Sequence, residues 1–98
     1  MPAPSAGSTT NEAGPFTVNA RRWSEADAEH IDVRGLPAPQ PLVEILRLVC
    51  TLPGGRAVIV HHDRDPLLLY PELAELGWSA QRIEGEAGEV RLRLERLE

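Results

Sequence analysis

The 98-residue sequence has no lysine: all ten of its basic residues are arginine, set against 15 Asp and Glu. We read the missing lysine as genome composition rather than function. The formal charge of −5 argues against nonspecific binding to nucleic acid or an anionic membrane, because both need a dense cationic surface. Cysteine is limited to Cys50, which excludes an intramolecular disulfide and a cysteine-rich zinc site. Aromatic residues are limited to Phe16, Trp23, Tyr70 and Trp78, so the core is expected to be aliphatic, with Trp78 and Tyr70 its large rings. No apolar run approaches the roughly 20 residues of a membrane span. Met1 to Thr10 lacks the basic start and apolar stretch of a secretory signal. A cytoplasmic location is the expectation.

What is present divides unevenly. Residues 1–15 are Pro, Ala, Ser, Thr and Gly with almost no large apolar side chain. They bury too little surface to offset ordering entropy and read as a disordered tail. Residues 16–29 carry no clear period, and Phe16, Val18 and Trp23 offer an ambiguous arm that either packs on the domain or does not. The folded unit is expected over 30–97.

Within that unit Ile31 and Val33 alternate with Asp32 and Arg34, as in a short half-buried strand. Arg34 to Pro41 is a stiff turn, since each proline restricts itself and the residue before it. Pro41 suits the first turn of a helix. Leu42, Ile45, Leu46 and Val49 then mark one apolar stripe, and Leu52-Pro53-Gly54-Gly55 ends the helix. Ala57 to Val60 is a continuous apolar run that reads as an interior strand ending at His61-His62. A turn over Pro66–Tyr70 is expected to precede a second helix that restarts at Pro71, with Leu69, Leu73 and Leu76 on one face and Gly77 at its end. Trp78 to Glu84 reads as a strand, Gly85 to Gly88 as a hairpin turn, and Val90, Leu92 and Leu94 as the inward positions of a last strand. The acidic Glu84, Glu86 and Glu89 read as a solvated hairpin. The order βαβαββ, with right-handed crossovers, places both helices on one face of a four-stranded mixed sheet. This α+β two-layer sandwich leaves its other face charged, with Arg91, Arg93, Asp32 and Arg34.

The stretch Asp32-Val33-Arg34-Gly35-Leu36 followed by Ala38-Pro39-Gln40-Pro41 resembles the TusA/SirA-like superfamily, whose first strand runs into a Cys-Pro-x-Pro motif at a helix start. His61-His62-Asp63-Arg64-Asp65-Pro66 and Leu69-Tyr70-Pro71-Glu72-Leu73 look more like one uncharacterised branch, the domain of unknown function 2249 group. The resemblance covers about residues 30–96. It implies a βαβαββ sulfur-carrier scaffold whose motif cysteine takes up sulfur as a persulfide. Here Ala38 stands in that place and has no sulfur. Cys50 is no substitute: it lies near the carbonyl end of the helix, which repels an anion, and a free cysteine is usually a small buried side chain.

His61-His62-Asp63-Arg64-Asp65 is the one place where ionisable groups crowd together, at a strand end and helix start where α/β folds commonly place ligands. Neighbouring residues of a strand point to opposite faces, so one ion shared by His61 and His62 requires the strand to have ended. One histidine with Asp63 or Asp65, and His30 as a distant ligand, is the alternative. Otherwise the stretch is a polar loop in which Asp65 caps a helix. No nucleophile–base pair or phosphate loop is evident, and a non-enzymatic role follows. The first reading of function is an adaptor, monomeric or weakly dimeric and without a cofactor. It docks another protein through the open sheet face, Arg34, Ala38, Pro39, Pro41, the His61–Asp65 loop and Tyr70. The second is a small metal- or haem-binding protein of redox metabolism that uses His61 or His62.

Overall fold

The computed structural model describes residues 20–25, 27–52 and 55–97. The expected tail over 1–15, and Phe16 and Val18 of the arm, lie outside the described residues. The elements in chain order are β1 (Arg21–Glu25), β2 (Ala28–Asp32), α1 (Gln40–Thr51), β3 (Ala57–His62), α2 (Leu69–Glu75), β4 (Trp78–Ile83) and β5 (Val90–Arg96). The class is α+β, as the periodicities require. Among the described residues no helix is long and apolar enough to cross a membrane.

The sheet has five strands rather than four, in the order β1-β2-β3-β5-β4. The additional strand is β1, which runs antiparallel to β2 and pairs Trp23 with His30. Arg-Arg-Trp-Ser-Glu offers one apolar side chain in five, so no alternation announces it. Its stability comes from β2 and from what Trp23 covers. β2 begins at Ala28, three residues before the expected start, and pairs parallel to β3. Val33 lies just beyond the strand but stays fully buried, its N–H donating to the His61 carbonyl at 2.9 Å.

β3 is buried on both faces along its whole length, as an interior strand with a continuous apolar run should be. Alternation sends Val58 and Val60 one way and Ile59 the other. Val58 and Val60 join Ile31, Val33, Leu92, Leu94 and Trp78 in the main core, which Ile45, Leu48, Val49, Leu69 and Leu73 close from the two helices. Ile59 instead meets Ala28, Ala57 and Ile83 in a small patch on the other side. Trp78 is the ring of the core, as expected, and Tyr70 is half-buried against it.

The buried face of α1 is rotated from the expected stripe. It comprises Pro41, Glu44, Ile45, Leu48 and Val49, with Leu42 and Leu46 half-buried. Glu44 tolerates burial because Arg22 and Arg47 each stand 3.7 Å from its carboxylate. Cys50 is exposed, which corrects its reading as a buried apolar side chain. The second helix does not restart at Pro71 but runs through it. Pro71 is the third residue of α2, inside the first turn, where a helix has no acceptor for that N–H anyway. Leu69 and Leu73 are buried, whereas Leu76 turns out to solvent. Gly77 takes the positive φ of 84° that ends the helix, a conformation open to glycine.

Candidate functional site

The turn from Arg34 to Pro41 is assembled from both ends of its own chain. Arg34 folds back on Asp32, donating through Nε (2.9 Å) and Nη2 (2.8 Å) as well as its backbone N–H. That guanidinium holds the Asp32 carboxyl below its ordinary range. Gly35, at φ 84°, donates its N–H to Asp63 Oδ2 at 3.0 Å. The same bond is the largest cause of the lowered Asp63 pKa. The first turn is thereby tied to the loop after β3. Pro39 precedes α1 as its N-cap and no side chain caps it. The Ala38–Pro39 peptide is cis.

Between these two loops lies an apolar groove of about 280 Å³. Leu36, Ala38, Pro39, Pro41 and Leu42 form one wall, and His62 with Arg64–Leu69 forms the other. Its outer lip is Leu67 and Leu68, which are 69% and 77% exposed. Tyr70 donates its hydroxyl to Asp65 beside the groove. Burial first, and then that bond, push its pKa up to about 12. The structure therefore brings together Ala38, Pro39, Pro41, His62, Arg64, Asp65 and Tyr70. Asp63 and Arg34 act behind them as braces. Asp65 does not cap α2, which has no side-chain cap.

His61 is not part of this group. Both histidines belong to β3, so their side chains point to opposite faces and share no site. The His62 side chain is 4% exposed. Its Nδ1 accepts from the backbone N–H groups of Asp63 (2.9 Å) and Arg64 (3.3 Å). The same Nδ1 also stands 3.2 Å from Asp63 Oδ1, so this nitrogen is engaged by the loop that follows it.

His61 lies instead on the face away from the helices, beside His30. His30 Nδ1 and His61 Nε2 are 2.9 Å apart. His61 Nδ1 reaches Glu89 Oε2 at 2.6 Å, and His30 Nε2 stands 3.2 Å from Glu25 Oε1. Trp23 lies roughly parallel to both imidazoles, at 5.0 Å and 17° from His30 and 5.2 Å and 28° from His61. The Glu89 side chain is 1% exposed, which corrects its reading as part of a solvated hairpin. Arg91 binds both its oxygens, at 3.0 and 2.9 Å. That pairing, helped by the Glu86 N–H and His61 and opposed by burial, lowers the Glu89 pKa to about 2.

Sequence reasoning placed His30 at a distance and overlooked Trp23, Glu25 and Glu89. The available signal was parity: parallel pairing aligns Asp32 with His61, so His30 shares a face with both. Among the described residues no group of three or more His, Cys, Asp or Glu is arranged to hold a metal.

No curated protein matches the sequence. Residues 30–96 match the model of the DUF2249 uncharacterized conserved proteins, so the matched segment begins inside β2 and leaves β1 outside it. Covering more than half of the chain, that match makes this protein a member of the DUF2249 family.

Proposed function

We propose that the chain is a non-catalytic docking module on a sulfur-carrier-like scaffold, and that its groove takes an aliphatic segment of another protein. The observation that carries this reading is the groove itself. Leu67 and Leu68 project into solvent at the lip of an apolar cleft. Covering either side chain is worth about 1.5–3 kcal/mol. The scaffold resemblance to the TusA/SirA-like superfamily adds a reason for docking to occur here. The groove is walled by the turn where such carriers present their cysteine, and Ala38 supplies a smooth apolar surface instead. Persulfide chemistry has no atom to act on at Ala38, and Cys50 sits about 15 Å along α1 from Gln40 at a 1.5 Å rise per residue.

The reading of His61 or His62 as a metal or haem ligand has less support. His62 Nδ1 is engaged by the Asp63–Arg64 loop, and both nitrogens of His61 are engaged.

A photo-crosslinking residue at position 68, compared with one at Ser79 on β4, identifies the occupant. Binding of that purified partner is then measured with Leu67→Ser and Leu68→Ser. Crosslinking confined to position 68 and at least a tenfold loss of affinity in the double variant, about 1.4 kcal/mol, support docking. A Soret band or stoichiometric metal lost in His62→Ala would overturn it, as would a partner captured equally from both positions.

A further inference from the structure

The apolar groove has a polar side chain buried in its wall. His62 is 4% exposed and lines the groove together with Leu36, Pro41, Leu42 and Leu69. Its contacts to the Asp63 N–H, the Arg64 N–H and Asp63 Oδ1 are all made by Nδ1. Nε2, across the ring, has no partner among the described residues. An aliphatic side chain that filled the groove by itself would cut Nε2 off from water. A buried polar atom left unpaired costs roughly tenfold or more in affinity. The occupant must therefore bring a polar atom of its own to Nε2.

Size and charge narrow that occupant further. The groove holds about 280 Å³, and a cavity of about 150 Å³ takes one benzene. There is room for one or two side chains rather than a long stretch of chain. Arg64, on the same wall, is 72% exposed, and its Nε stands 3.6 Å from Asp63 Oδ1, beyond hydrogen-bond length. Asp63 is spent on the Gly35 N–H and on His62, so the guanidinium is available to a ligand. Asp65 is the one acidic residue lining the groove, and it accepts from the Tyr70 hydroxyl.

We infer that the groove receives the carboxyl end of a partner chain whose last residue is Leu, Ile or Val, with the terminal carboxylate on His62 Nε2 and the Arg64 guanidinium. This rests on the docking reading above and names the ligand of that site. A chain end is where an aliphatic side chain and a free carboxylate share one α-carbon, and capture of that carboxylate is a recurring mode of recognition. The carboxylate selects the His62 tautomer with its proton on Nε2, in which Nδ1 accepts from the two loop N–H groups. A ring that gains a second proton still donates from Nε2, with Asp63 Oδ1 beside its Nδ1. Arg64 adds a planar, charged donor suited to a carboxylate.

Two fluorescent peptides of sequence Gly-Ser-Gly-Ser-Ala-Leu, one a free acid and one a carboxamide, are titrated against the intact protein. The acid is expected to bind about tenfold more tightly than the amide, and replacing its last Leu by Ser should remove most of the binding. His62→Phe and Arg64→Gln should each bring the acid-to-amide ratio towards one and leave the affinity for the amide unchanged. His62→Phe also removes the acceptor of two loop N–H groups, so Arg64→Gln, at an exposed site, carries the test if that variant does not fold. Equal affinities for acid and amide, both weakened by Leu67→Ser and Leu68→Ser, overturn the inference and leave docking intact. So do crosslinks from position 68 that map to an internal segment of the partner. Binding of neither peptide overturns it as well; docking itself falls only if positions 68 and 79 capture the same partner equally.

Discussion

The two faces of the sheet differ in what holds them together. On the helix side, Val58, Val60, Leu92 and Leu94 meet the buried residues of α1 and α2 in one aliphatic core. Its contacts are non-directional and depend on volume. On the other side Ile59 has only a small patch around it, and the remainder is a chain of ionic and hydrogen-bonded side chains under Trp23. Those contacts are directional and depend on protonation. One face therefore responds to changes of size and the other to changes of charge.

The sharpest way to break the comparison is to truncate both faces alike. Leu92→Ala should cost about 2–5 kcal/mol in chemical denaturation, because Leu92 is fully buried under both helices. Ile59→Ala should cost about 1–2 kcal/mol, since fewer apolar neighbours surround it. Equal losses would show that the small patch is a second core.

The charge-dependent face should show itself in acid. The Glu89 pKa is lowered from 4.5 to about 2, so its contribution is fully present above the unfolded value. It is lost as the pH falls from 4.5 towards 2. The linkage amounts to something on the order of 3 kcal/mol. Glu89→Gln should remove that loss and leave a protein of lower, flatter stability across the acid range, measured by denaturant midpoints at each pH. An unaltered acid profile would mean that another carboxylate dominates.

The smallest effect belongs to the groove rim. Tyr70 is the sole tyrosine, so absorbance at alkaline pH reads it alone. Its ionisation should centre at about 12 rather than 10.0, and Asp65→Asn should move it back part of the way. A tyrosine that ionises normally would show that the rim is open to water.

How much of this was legible follows from which patterns are local. The apolar run of β3, the alternation of β5 and the aliphatic stripe of α1 each repeat with the period of their element, and each element formed close to its expected place. The loop residues Ala38, Pro39, Pro41, His62 and Asp65 were also read as a group, and they line one groove. β1 was not legible, because Arg21 to Glu25 has no hydrophobic period. Pro71 read as a break because its effect depends on distance from the helix start, which one sequence leaves open. Glu89 looked like its solvated neighbours Glu84 and Glu86, and only the fold shows Arg91 and His61 enclosing it. Cys50 looked like an ordinary buried thiol, but the rotation of α1 about its axis turned it outward.

The sequence by itself determined the α+β class, the order of the elements from β2 onward and the absence of a reactive thiol at Ala38, because period and residue identity are local properties. Only the tertiary structure decided which histidines meet. His61 and His62 are adjacent in the chain, yet the pleat sends them to opposite faces. His30 and His61 are 31 residues apart, yet parallel pairing of β2 with β3 brings their rings into contact. Strand register is a long-range choice, made by the packing of whole elements, and the contact between His30 and His61 depends on it.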